Sequence, residues 1–407
     1  MMIPKWRYVA SALGILTAVH LLLSITHPTY SSYTSPAFLR GSGSLDYVQK
    51  HDPSIGNLVV PPSSVPRNHT DPNRRKANAA FVVLARNSDL YEFLSSMKQM
   101  EDRFNWWANY DYVFLNEEPF DDNFKEQTQL LTNAKCHYGL IEHDHWVQPD
   151  WIDEEKASAA REEMIRKKVI YGHSVPYRNM CRFNSGFFFR HPLLASYDYY
   201  WRIEPGVKFF CDLSFDPFLI MQDEKKVYAF TISLFEYVET IPTLWDATKE
   251  FIKANPQYLP EDNAMDFISD DGGETYNRCH FWSNFEIGDL NFWRSEAYMK
   301  YFEHLDAAGG FYYERWFTVS LIPPTFCIIE GDAPVHSIGA ALFAPKDKII
   351  RARKVTPIHE ASVGVTPTTT SPSNGELRLF SECIGFKADP VPITRYSCTN
   401  KYVDMFK

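Results

Sequence analysis

Two carboxylates stand out by their surroundings. Glu204 closes the aromatic run Tyr199-Tyr-Trp-Arg-Ile-Glu and is followed by Pro205, which stops strand pairing and so puts the acid at a strand's carboxyl end. An acid there is placed to hold a divalent cation, which would bridge the phosphates of a nucleotide-sugar and neutralise the leaving diphosphate. Asp212 and Asp216 follow closely enough to support it, although any of these acids reads equally well as a turn residue. Glu286 sits in Cys279-His-Phe-Trp-Ser-Asn-Phe-Glu-Ile287, and an acid among so many aromatics is costly to bury unless paired or functional. In glycosyl transfer such a carboxylate attacks the anomeric carbon or stabilises an oxocarbenium-like transition state, by the logic of retaining glycoside hydrolysis. Asp270, Asp271 and Asp332 lie near turns, where an acid ordinarily caps a helix. Arg86 follows the first apolar run, where it would meet a phosphate or simply be solvated.

These residues need a frame. The stretch Asn78-Ala-Ala-Phe-Val-Val-Leu-Ala-Arg-Asn-Ser-Asp89 opens as a short apolar strand and ends in polar residues that can cap a helix, and from Leu90 the apolar residues fall at 90, 93, 94, 97, 100 and 104, a helical period. Tyr112–Leu115 is a second strand, a helical stretch follows near Phe124–Leu131, and Cys136–Ile141 is a third strand. Alternation of this kind predicts right-handed crossovers and a parallel sheet, with ligands at the carboxyl ends of its strands. A charged helix is expected over Ile152–Lys168, and no repeat of solenoid period is present.

The amino-terminal end reads differently. Lys5 and Arg7 precede an apolar run from Tyr8 to Ile25, near the short end of the roughly 17–25 residues that span a bilayer. The positive flank places residues 1–7 in the cytoplasm. No A-x-A-like site follows, so the run reads as an uncleaved signal-anchor rather than a signal peptide. Residues 26–77 read as a stem, poor in apolar periodicity, and contain the glycosylation triplet Asn68-His69-Thr70. A net charge of −10 argues against nucleic acid as a partner. Seven cysteines without a C-x-x-C pair suit an oxidising compartment with a few bridges better than a zinc site.

The segments RNSDLYEFLSSMKQMEDRFN, YDYVFLNEEPF, YRNMCRFNSGFFFRHPLL, YYWRIEP, SLFEYVETIPTLW, CHFWSNFEIGDL, GGFYYERW and GDAPVHSI occur in this order. Together they closely resemble the fungal α-1,2-mannosyltransferases of glycosyltransferase family 15, over roughly residues 78–349. The resemblance implies a GT-A-like α/β fold for the catalytic domain, 78–407. It also implies a single-pass type II protein of the Golgi membrane with that domain in the lumen. The implied reaction moves mannose from GDP-mannose to the 2-hydroxyl of a mannose on O- or N-linked glycans, as in cell-wall mannoprotein synthesis, with retention and with Mn2+. By matching motif, Glu204 would be a metal ligand and Glu286 the proposed nucleophile. Tyr177 would contact donor and reaction centre, Arg86 and Arg182 would serve the donor, and Asp332 would belong to the acceptor or catalytic site.

The chain departs from the family pattern in two places. Phe317–Glu330 intervenes where the family passes from E-R-W directly to G-D-A-P-V-H. Over 350–388 a Thr/Ser/Pro-rich stretch replaces a run close to H-F-F-D-E-I-G-Y-x-H-x-P, whose histidine is a manganese ligand. The stretch has the composition of a linker or of translated non-coding sequence, and nothing around its one histidine, His359, matches the motif. An alternative reading follows: an impaired relative that binds nucleotide-sugar or glycan without transfer.

Overall fold

The computed structural model describes residues 62–66, 68–69, 71, 73–169, 171–209, 212–316 and 332–351, with 384–385, 397–398, 401–402 and 405. These residues fall in one unit, 57–354 with 378–407. The expected anchor, residues 26–61 of the stem and Phe317–Glu330 lie outside the described residues. So does 350–388, apart from Ile350, Arg351 and the pair Ile384–Gly385.

The expected alternation is present. Strands β1 (Ala79–Leu84), β2 (Asp111–Asn116) and β3 (Cys136–Leu140) are parallel, with helices α1 (Leu90–Met100) and α2 (Asp122–Leu130) between them. The charged helix is α3 (Glu154–Arg166), capped by Asp153, whose side chain accepts from the Lys156 amide. Helix α4 (Val175–Gly186) begins at Ser174, which accepts from the Tyr177 amide, and has Pro176 in its first turn. Strand β4 (Tyr199–Arg202) then pairs in parallel with β1.

The rest of the sheet is built from pieces of three residues. Those pieces are β6 (Tyr228–Phe230), β9 (Ile287–Asp289) and β10 (Ile349–Arg351). The seven strands run in the order β10-β6-β9-β4-β1-β2-β3, with β9 antiparallel to both β4 and β6. Two ribbons complete the strands: β5 (Lys208–Phe209) with β11 (Ile384–Gly385), and β7 (Ser233–Phe235) with β8 (Cys279–Phe281). One sheet face carries Phe81, Trp201 and Phe218 together with α1. The other carries Tyr200 and Tyr228 against α5 (Glu296–Ala308) and α6 (Ala333–Phe343). Every residue of α6 is buried, as a helix that is apolar nearly all round must be.

Two findings adjust the expected boundaries. The last part of the stretch read as stem packs on the domain: the Ser64 carbonyl accepts the Asp216 amide at 2.8 Å, and Arg75 pairs with Asp223. Ile350 and Arg351, the first residues of the atypical segment, extend β10 in parallel with β6.

A disulfide joins Cys279 on β8 to Cys398, closing a separation of 119 residues, while Cys136 and Cys181 are free thiols. The tail is held there by the Cys398 amide on the Ser233 carbonyl and by Tyr402 Oη on the Ile349 carbonyl. Cys398→Ser is expected to cost about 2–5 kcal/mol, because the bridge limits the unfolded chain over a long loop. Urea unfolding of the variant, compared with the oxidised wild type that keeps the bridge, checks this. An unchanged midpoint would show that the tail is held without the bridge.

Candidate active site

The register of β9 on β4 sets the site. Trp201 lies opposite Ile287, and the Arg202 amide donates to the Glu286 carbonyl at 3.0 Å, so the end of β4 meets the start of β9. Side chains alternate along a strand, which puts Tyr200 and Arg202 on the face covered by α6. Gly288 lies between Tyr200 and Tyr228 in the ladder. A Cβ there would come within 2.5 Å of the Tyr200 ring, so a side chain at this position would displace that ring.

Both tyrosines turn their hydroxyls onto Glu286. Tyr200 Oη donates to Oε1 at 2.7 Å and Tyr228 Oη to Oε2 at 2.9 Å. Arg202 Nη1 reaches Oε1 at 3.3 Å, and His336 Nδ1 lies 3.0 Å from Oε2. The same guanidinium grips Asp332 through both terminal nitrogens, at 2.9 and 2.7 Å. His336 Nδ1 is also 2.9 Å from Asp332 Oδ2. Asp332 stands at the start of α6, but its side chain makes no capping bond to the helix. It is spent on Arg202, with Ser283 Oγ a further 3.4 Å contact. Glu286, Asp332 and His336 are wholly buried.

The electrostatics follow from this packing. Asp332 is held below the usual carboxylate range: burial opposes ionisation, and Arg202 and His336 overcome it. Arg202 is held above its ordinary value, the surrounding acids outweighing burial. Glu204 behaves oppositely. Its carboxyl is pushed up to about 7 by burial, helped by the charges of Asp332 and Glu286 and opposed by Arg202, whose Nε is 3.6 Å away.

A metal's fit divides these acids into two groups. Glu286, Asp332 and His336 have ligand atoms within 4.8 Å of one another, yet they do not make a vacant cage. Arg202 occupies Asp332 bidentately, and the second ring nitrogen of His336 lies 3.1 Å from the Asn184 carbonyl. Glu204 fits better. Its side chain is 20 % exposed, and the Arg202 Nε beside it, 3.6 Å away, is beyond hydrogen-bond distance.

The remaining anticipated residues are dispersed. Tyr177 is nearly buried in the first turn of α4 and stacks on Tyr171 at 5.0 Å. Arg182, on the same helix, is committed to Asp306 at 2.7 and 2.9 Å and to the Asp144 carbonyl, with Phe187 beneath it. It is not brought to the cluster. Arg86 lies beyond β1, exposed and paired with Asp89. Asp212 pairs with Arg103, and Asp216 caps a helix while accepting from Tyr110, so neither supports Glu204. Sequence reasoning missed Arg202, His336, Tyr200 and Tyr228. The i, i+4 spacing of Asp332 and His336 was a usable signal, since it places both on one helix face.

An α/β sheet with a partly exposed acid at the carboxyl end of one strand, beside a closed charge cluster, has the architecture of a glycosyltransferase. The chain belongs to the glycolipid 2-alpha-mannosyltransferase family, whose model matches residues 45–407. Glycolipid 2-alpha-mannosyltransferase 1 of Candida albicans is 54% identical over 84% of this chain and 74% of its own length. Alpha-1,2 mannosyltransferase KTR1 of Saccharomyces cerevisiae is 44% identical over 98% of this chain and 95% of its own. Among solved structures, the Mn/GDP form of core-mannan synthase A from Aspergillus fumigatus superposes with TM-score 0.71 at 37% identity, covering 88% of this chain and 94% of that one. Ktr4p of S. cerevisiae in complex with GDP gives 0.69 at 35% identity, with 83% and 84% covered.

Proposed function

We propose that this chain transfers mannose from GDP-mannose to the 2-hydroxyl of an acceptor mannose on a protein-linked glycan, with retention of configuration. The observation that carries this reading is Glu204: a partly exposed, incompletely balanced carboxylate at the carboxyl end of β4. It stands in a fold shared with relatives crystallised with GDP and, in one case, manganese. Glu204 would be one ligand of a divalent cation, Mn2+ in this reading, whose chemistry when bound is to neutralise the diphosphate as it leaves. Arg202 touches both Glu204, at 3.6 Å, and Asp332, at 2.7 Å. Tyr177, at the amino end of α4, is assigned to donor and reaction centre, and Arg86 to the donor's phosphates.

For Glu286 two roles were open, attack and electrostatic stabilisation. Four donors surround its two oxygens, and it is wholly buried. That environment supports a fixed negative charge rather than an attacking group. Glu286→Gln keeps the shape and removes the charge; transfer is expected to fall by about 10²–10³-fold, the loss typical of one preorganised electrostatic group. A near wild-type rate would remove Glu286 from the mechanism.

The relatives' names and identities do not favour the impaired-relative alternative. Incubation with GDP-mannose, manganese and α-methyl mannoside tests the choice, with an α-1,2-linked disaccharide as the expected product. Donor binding without product would overturn the transferase reading. The apolar run 8–25 and its basic flank support a type II anchor that places the domain in the Golgi lumen, where mannoprotein glycans are elaborated.

A further inference from the structure

We infer that His336 is a permanently charged positioning residue: an imidazolium protonated on both ring nitrogens that, together with Arg202, balances Glu286 and Asp332 and holds them in place. The inference rests on which atoms face the ring. Nε2 lies 3.1 Å from the backbone carbonyl of Asn184. A carbonyl oxygen only accepts, so Nε2 carries a proton. Nδ1 lies 3.0 Å from Glu286 Oε2 and 2.9 Å from Asp332 Oδ2. Ionised carboxylates also only accept, so Nδ1 carries one too. A neutral ring would set a nitrogen lone pair against either the carbonyl or two anions at a wholly buried position.

The ring's other neighbours agree. Trp293 lies against its face, centroids 4.4 Å apart and planes 21° apart, as a cation on an indole prefers. Tyr298 approaches at 6.1 Å and Phe188 at 6.2 Å. The charged groups facing the cluster are Glu286 before β9, Asp332 at the head of α6 and Arg202 on β4; Tyr200 and Tyr228 contribute phenols. Burial lowers the imidazole's proton affinity, but the two acids outweigh it and hold the group up to about 9.

The formal charges are then two positive and two negative. The cluster closes on itself, and Glu204 remains the partly exposed acid beside it. Without the imidazolium, one guanidinium would serve Glu286, Asp332 and Glu204 together. It could not hold the fork on Asp332 and its place behind Glu204 at once.

This role differs from the proposed chemistry, and its test does not depend on turnover. In wild-type protein labelled with 15N-histidine at pH 8, ordinary histidines are neutral, and one histidine is expected to show protons on both ring nitrogens. A spectrum in which every histidine is neutral would overturn the inference, whether or not the protein transfers mannose. Kinetics give the second readout. His336→Gln is expected to lower kcat about 10–100-fold while KM for GDP-mannose stays within about threefold, because the ring is buried behind the acids. Adding Glu286→Gln to that variant removes one negative charge and should cost several-fold less than Glu286→Gln alone. Independent, multiplying losses would assign His336 a packing role and overturn the charge-balance reading.

Discussion

Replacing Arg202 with methionine, a long side chain without charge, is expected to lower the unfolding free energy by about 3–5 kcal/mol and to abolish transfer. The magnitude is that of breaking a buried ion pair from one side: the partner charges remain and water cannot reach them. Here two acids are stranded, Glu286 and Asp332, both wholly buried, and only His336 is left between them. Urea unfolding followed by tryptophan fluorescence reports the loss, and the GDP-mannose assay reports transfer. Arg202→Lys sharpens the result. It keeps the charge but not the fork that bonds Asp332 at 2.9 and 2.7 Å, so it should recover part of the stability and little of the activity. A methionine variant within about 1 kcal/mol of wild type would mean that the acids become protonated at little cost and that the guanidinium does not organise them.

Glu204→Gln should separate stability from function in the opposite sense. The folded-state pKa of Glu204 is raised, to about 7, so at pH 8 its ionised form is disfavoured by the fold relative to the unfolded chain. Removing the charge is therefore expected to leave the metal-free protein as stable as wild type or slightly more so. Manganese affinity should nevertheless fall by more than about 100-fold, since loss of a merely supporting group already costs about 10–100-fold. Calorimetric titration of Mn2+ in the presence of GDP measures the affinity, and thermal unfolding without metal measures the stability. Undiminished manganese binding would place the cation elsewhere.

The two halves of the sheet were unequally legible from sequence. β1-α1-β2-α2-β3 could be read because each element is long enough to show its period: six apolar residues in β1, and the spacing 90, 93, 94, 97, 100 in α1. The antiparallel insertion of β9 between β4 and β6 could not. Each of β6 and β9 is three residues long, shorter than any reliable pattern, and the pairing is decided by partners far away in the chain. The site divides in the same way. Glu204, Glu286 and Asp332 were conspicuous as acids in aromatic or turn settings. Arg202 gave no local warning, because it ends an aromatic strand and acquires its meaning only when the acids arrive; for His336 the one local signal was its i, i+4 spacing from Asp332. Arg182 shows the converse. Its place in a matching motif suggested the donor, but packing gave it to Asp306.

The length of chain between the partners has a dynamic consequence. Arg202 and Asp332 are 130 residues apart, and Glu286 lies 84 residues from Arg202. Opening any one of these segments breaks contacts that the guanidinium makes to the others. Backbone amides of Tyr200–Arg202 and Ile287 should therefore exchange with deuterium only through whole-domain unfolding, and catalytic competence should vanish at the same denaturant concentration as the fold. A plateau of inactive but protected protein, by contrast, would show that the site has a hinge of its own.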